Sequence, residues 1–124
     1  MAAPTEINVH KKSATLELRY EDGTSSSLPA EYLRVFSPSA EVQGHVPAQA
    51  VLQYGKKDVQ FIDIEPQGRY AIKIVFSDGH DSGIYSWEYL QSLADQFESN
   101  WVNYLEDLDR AGKSREPQFI AVQT

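Results

Sequence analysis

His80 is the residue best suited to chemistry in this chain, set in Phe76-Ser-Asp-Gly-His-Asp-Ser-Gly-Ile-Tyr-Ser-Trp-Glu-Tyr-Leu90. Two ways of using it follow from its neighbours. An imidazole can ligate zinc, here with His45 and a carboxylate such as Asp81 or Glu41; a closed structural site wants four nitrogen or sulfur ligands, and the chain has only three histidines. Alternatively the ring is structural, hydrogen-bonded to Asp78 or Asp81 at the tip of a turn and packed on the helix start.

Other chemistries lack their parts. An iron oxygenase centre needs two histidines and a carboxylate on one face of the metal. The His-x-Asp spacing is missing, because Lys12, Pro47 and Ser82 stand two residues after His10, His45 and His80. Asp78, His80 and Ser82 alternate through one hairpin turn and cannot readily form a nucleophile–base–orienter line, and no nucleophile elbow or phosphate-cradling glycine motif occurs. No cysteine is present, which excludes disulfides, thiolate catalysis and cysteine-held zinc or iron–sulfur clusters. Stand-alone catalysis and a bound cofactor are therefore not expected, zinc at His80 being the alternative.

The charge balance narrows the partners. The net charge is −7 and no more than two bases are adjacent, whereas nucleic-acid affinity needs clustered positive charge. Neither a secretory signal pattern at Met-Ala-Ala-Pro-Thr-Glu nor an apolar run of about 20 residues is seen. The expectation is a cytoplasmic protein that binds neither nucleic acid nor membrane. Its partner surface would be aromatic: Trp87 and Tyr89, with Tyr85 and His45 beside them, form the candidate interaction patch.

The elements that must position these residues follow from periodicity. Alternation predicts strands over 5–10, 15–20, 25–28, 59–64, 70–76 and 81–85. The strand at 59–64 is apolar on both faces, which suits a central position. Asp22-Gly23 and Asp78-Gly79 suit tight hairpins. Pro29 opens a short helix over 29–36 as its first residue. Ser86 caps a long helix over about 86–110, whose apolar stripe runs through Leu90, Leu93, Ala94, Phe97, Trp101, Tyr104, Leu105 and Leu108 and which stops before Gly112, with its weakest propensity at Gln96–Asn100. The stretch 37–58 reads as a long loop. Residues 113–124 read as a C-terminal tail, in which Phe119–Val122 is either an edge strand or an interaction segment.

The fold expected is α+β, a mostly antiparallel sheet of five or six strands with one short and one long helix, in a single domain over 1–112. An internal repeat is the reading of a recurring pattern, the alternative being that Asp-Gly hairpins followed by a capped helix recur by chance. Leu16–Leu28 matches Ile72–Ile84, after one extra residue Glu31-Tyr-Leu33 answers Glu88-Tyr-Leu90, and Ile7 and Val9 echo Ile62 and Ile64, so each half reads strand, strand, strand, helix.

Four phrases carry a family resemblance: Leu28-Pro-Ala-Glu-Tyr-Leu-Arg34, Ser37-Pro-Ser-Ala-Glu-Val-Gln-Gly-His45, Asp63-Ile-Glu-Pro-Gln-Gly-Arg-Tyr-Ala-Ile-Lys73 and Asp78-Gly-His-Asp-Ser-Gly-Ile-Tyr-Ser-Trp-Glu-Tyr-Leu90. Over roughly residues 5–110 the chain resembles the gamma-butyrobetaine hydroxylase-like N-terminal domain family, which includes small stand-alone bacterial proteins. In eukaryotic oxygenases a related domain precedes the catalytic domain and holds a structural zinc through three cysteines and the histidine of Asp-Gly-His. The resemblance places that histidine at His80 and the cysteine positions at Ser37, Ser39 and Val42, so the scaffold is kept and the ligands are lost. Related domains are also attached to iron–sulfur cluster carriers. What the resemblance implies is a small accessory or protein-interaction domain whose protein partner is an oxygenase or an iron–sulfur carrier; the alternative is metal binding or an accessory role in iron–sulfur assembly.

Overall fold

The computed structural model describes residues 3–44 and 50–117. The chain runs β1 (Glu6–His10), β2 (Thr15–Arg19), β3 (Ser25–Pro29), α1 (Ala30–Val35), α2 (Ala40–Gln43), β4 (Phe61–Gln67), β5 (Ala71–Phe76), β6 (Ile84–Ser86), α3 (Trp87–Asp95) and α4 (Phe97–Ala111). The α+β class and the antiparallel pairing are as expected, and the six strands divide into two three-stranded sheets, ordered β1-β2-β3 and β4-β5-β6. Leu16, Leu18 and Leu28 from the first sheet share one buried core with Phe61, Ile72, Ile74 and Phe76 from the second. Alternation explains this: in β2 the leucines turn inward while Glu17 and Arg19 point away.

The repeat is present in the backbone. The Tyr20 N–H donates to the Thr24 carbonyl as that of Phe76 does to His80, and Gly23 donates to Tyr20 as Gly79 does to Phe76, so the two Asp-Gly turns share one bonding pattern. Each main helix is docked alike at its first residue, Ala30 N–H on the Ala14 carbonyl and Trp87 N–H on that of Tyr70. The seam between the halves is also reciprocal. The Tyr32 hydroxyl of α1 donates to the Leu93 carbonyl of α3, and the Tyr89 hydroxyl of α3 donates to the Phe36 carbonyl at the end of α1. Tyr32 and Tyr89 are equivalent positions, and so are Phe36 and Leu93, so one contact is made twice about an approximate twofold.

Several boundaries differ from expectation. Pro29 is the cap before α1, still extended at ψ 147°, so β3 runs one residue further than expected and the helix starts at Ala30. The strand expected at 59–64 is displaced to Phe61–Gln67 and lies at a sheet edge rather than centrally, with Ile62 56% exposed. A register shift between Phe61 and Asp63 turns Ile62 outward, and an edge strand tolerates Pro66, which has no N–H to offer a ladder. Pairing also moves the equivalence of the first strands: Ile7 faces Leu18 as Ile64 faces Ile74, and Val9 faces Leu16 as Pro66 faces Ile72, so Ile7 and Val9 answer Ile64 and Pro66. The Ile64 N–H is occupied by the Asp63 carboxylate, and with Pro66 this blunts the edge against another chain.

The long C-terminal helix breaks at Gln96, within its weak stretch, into α3 and α4. Ser86 caps α3 through Oγ, which accepts from the Tyr89 N–H at 3.1 Å. Gly112, at φ 65°, terminates α4 in the left-handed conformation that glycine adopts without cost. Leu105 lies at the margin of the expected stripe and is 39% exposed, whereas Tyr104 and Leu108 of the same helix are buried. Within the loop at 37–58, residues Ala40–Gln43 form α2. Beyond α4 the described residues 113–117 are fastened to the body: Ser114 and Arg115 carbonyls accept from the Gly55 and Lys57 N–H groups. Phe119–Val122 and His45 lie outside the described residues. Among the described residues no helix is long and apolar enough to cross a membrane.

Candidate functional site

The β5–β6 turn and the segment after α1 meet at His80. Asp78 Oδ1 accepts from the His80 N–H at 3.2 Å, an Asx-type closure that fixes the turn. The ring is then presented inward, 7% exposed, and lies tilted beside Phe76 at 6.1 Å between centroids. Nε2 lies 2.8 Å from Ser37 Oγ and 3.4 Å from Ser39 Oγ, and Nδ1 lies 3.4 Å from Glu41 Oε2. The proton belongs on Nδ1, since the carboxylate facing it only accepts; Nε2 then accepts from the Ser37 hydroxyl. Burial of the ring pushes the His80 pKa below its ordinary value, the Arg34 charge adds to this, and Glu41 and Asp78 oppose it. The neutral imidazole follows.

Asp78 anchors a second layer. Its Oδ2 receives Arg34 Nε at 2.8 Å and Lys56 Nζ at 2.6 Å. Burial alone would raise this carboxyl, but the Lys56 bond, the His80 N–H and Arg34 outweigh it and hold the pKa at about 2. Arg34 is itself buried, and its Nη1 has no hydrogen-bond partner among the described residues.

Ser37, His80 and Glu41 thus stand in the order of a nucleophile, a base and an orienting carboxylate, a set different from Asp78, His80 and Ser82. Access is what fails. Ser37 is fully buried, its Oγ also accepts from the Ser39 N–H, and the backbone of Gly83 lies so close that a Cβ there would sit 2.5 Å from Oγ. No acyl group fits beside that oxygen.

The metal reading is answered in part. Of the positions matched to cysteines, Ser37 and Ser39 reach the His80 ring, and Val42 is a buried apolar residue of α2. A neutral hydroxyl is a poor zinc ligand beside thiolate or imidazole, and Asp81 is exposed. Among the described residues no group of three or more His, Asp or Glu side chains is disposed to hold a metal ion. The structural alternative for His80 is modified too, since Asp78 holds the backbone N–H and the serines hold the ring.

The aromatic set does not form an open patch. Tyr85 is fully buried with its hydroxyl on the Leu33 carbonyl, and burial pushes that hydroxyl's pKa up. Tyr89 spends its hydroxyl on Phe36, and Trp87 is partly buried with Nε1 donating to the Arg69 carbonyl at 2.7 Å. β6 and α3 turn inward at the seam, which places Tyr85 in the core and leaves Trp87 and Tyr89 partly buried. Among the described residues, Tyr70, 71% exposed, and Tyr54 are aromatics that face solvent. Arg34 and Lys56 were missed as partners of Asp78, because ion pairs between distant segments leave no local signal.

The family model for the gamma-butyrobetaine hydroxylase-like N-terminal domain matches residues 7–91, spanning both sheets and the His80 cluster. The chain belongs to that family. Among solved structures, two proteins studied by solution NMR are 52% and 44% identical, each aligned over 100% of this chain and over 98% and 93% of their own, with TM-scores of 0.81. A crystal structure of a protein of unknown function from Acidithiobacillus ferrooxidans, of the DUF971 family, is 37% identical over 73% of this chain and 91% of that one, with a TM-score of 0.62. No curated protein matches the family member described here.

Proposed function

We propose that this family member is a non-catalytic accessory domain that works by binding another protein in the cytoplasm, with an oxygenase or an iron–sulfur carrier as the class of partner suggested by the family. One observation carries the reading: at this site the His80 ring and the two serine hydroxyls are turned inward and engaged with one another, and Glu41 alone of these four reaches solvent. Ser37, Ser39 and His80 are buried, and Asp78 is committed to Arg34 and Lys56. Such a cluster supports a scaffold, and the scaffold's use is then its surface.

A second reading, metal binding at His80, is favoured by the convergence of Ser37, Ser39 and Glu41 on one ring. Metal analysis of the untagged protein beside His80→Ala separates the two. Less than stoichiometric metal in both supports the accessory reading. Stoichiometric zinc or iron in the wild type, lost in the variant, overturns it.

A further inference from the structure

The approximate twofold makes the His80 cluster one of two equivalent places, and the other is open. Phe76, Asp78, His80, Arg34 and Ser37 correspond to Tyr20, Asp22, Thr24, Gln91 and Ala94. In both turns the aspartate Oδ1 accepts from the N–H two residues on, Thr24 at 3.0 Å and His80 at 3.2 Å. The second oxygens differ. On Asp78 it receives Arg34 and Lys56, and the segment Ser37–Glu41 lies over the turn. Around Asp22 no cation stands among the described residues, Gln91 replaces the arginine and turns its amide to Asp95 at 2.9 Å, and α4 carries the chain onward without lying over the turn. What remains is a groove between the β2–β3 turn and α3, lined by Tyr20, Asp22, Thr24, Gln91, Ala94 and Asp95. Ser26 Oγ, at the same groove, is shielded from water and lacks a partner among the described residues.

Resting on the interaction reading above, we infer that this groove docks a lysine- or arginine-bearing segment of a partner protein, its cation on Asp22 Oδ2 and Asp95 as Lys56 and Arg34 sit on Asp78. The chain itself shows what the place takes: in the equivalent site a short polar segment covers the turn and cations complete the aspartate. Charge agrees, because Glu21, Asp22 and Asp95 all border the groove and no basic side chain lines it. Opposite charge at such a rim speeds encounter and fixes register.

The test is an NMR titration of the full-length, 15N-labelled protein at low ionic strength, where exposed charges are least screened. The probe is a short capped peptide alternating lysine and alanine, with a glutamate–alanine peptide as control. Saturable shifts confined to the amides of residues 20–26 and 91–95 are expected, with about tenfold weaker binding in D22N/D95N. Asparagine at 22 retains the oxygen that closes the turn, so the fold is kept. E106Q/D109N, which removes as much charge from the exposed face of α4, should leave binding unchanged. Shifts spread over α4, binding indifferent to D22N/D95N, or the same shifts from calcium chloride alone would overturn the inference. A stoichiometric partner retained by D22N/D95N would sink the groove alone, whereas stoichiometric metal at His80 would sink the interaction reading.

Discussion

Arg115 lays both arms of its guanidinium on Glu31, Nε at 2.8 Å from Oε2 and Nη2 at 2.6 Å from Oε1. The carboxylate is buried in α1, and the guanidinium also covers the Trp101 ring at 5.2 Å from its centroid. A planar fork on a carboxylate is a geometry lysine cannot copy. The segment beyond α4 is thereby bound to the first half of the chain. Arg115→Met should lower stability by about 1–2 kcal/mol, less than the about 3–5 kcal/mol of a fully buried pair because the arginine is partly solvated. Urea unfolding measures this, and Glu31→Gln in the same chain should recover part of the loss. An unchanged midpoint in R115M would refute the tie.

His80 and Asp78 divide the pH response. The depressed His80 pKa means that the folded state binds fewer protons than the unfolded one, whose histidine titrates near about 6.5. Its contribution is therefore fully present above that value and falls as pH drops through it. Asp78 acts lower: its stabilisation is present above the model-peptide value of 3.8 and is lost as pH falls toward about 2. Thermal melts across pH should show two declines, the upper one absent in His80→Gln and the lower one reduced in Asp78→Asn. A single decline near pH 4 that His80→Gln leaves in place would contradict the buried neutral ring.

Gly83 is small for a steric reason, since an added Cβ would meet Ser37 Oγ at 2.5 Å and Tyr85 Cε1 at 3.1 Å. Gly83→Ala should cost about 1–3 kcal/mol by overpacking. In combination with Ser37→Ala the loss should be smaller than the sum of the two single changes, because one of the colliding atoms is gone. Strict additivity in a double-mutant cycle would show that the alanine finds room elsewhere.

The reciprocal tyrosines should be unequal. Tyr32→Phe leaves the buried Leu93 carbonyl without its donor and also removes the acceptor of the Asn100 amide, for about 1–2 kcal/mol. Tyr89→Phe frees a more accessible carbonyl at Phe36 and removes the acceptor of the Gln43 amide, which is exposed to water, and should cost about 0.5–1 kcal/mol. Chemical denaturation of both variants gives the comparison, and a larger loss for Tyr89 would reverse the assignment of which end of the seam is drier.

What could be read from the residues and what could not divide by range. Alternation in Thr15–Arg19, the Asp-Gly turns and the Ser86 cap are local devices, and each stands where its own neighbours put it. The repeat was legible for the same reason. Ile62 was misjudged because a register shift is decided by the facing strand, and Tyr85 and Tyr89 because their hydroxyls bond carbonyls of α1 and the residue that ends it, far away in the chain. The site shows the same split. His80 and Glu41 were evident as candidates, whereas the burial of the His80 ring and the Arg34–Asp78–Lys56 layer arise only when the halves close.

That closure is symmetric. A contact made twice, Tyr32 to Leu93 and Tyr89 to Phe36, is what a symmetric homodimer makes across its axis. The fold has the form of such a dimer joined into one polypeptide. One half spent its turn on His80 and sealed it; the other kept its turn open to the outside.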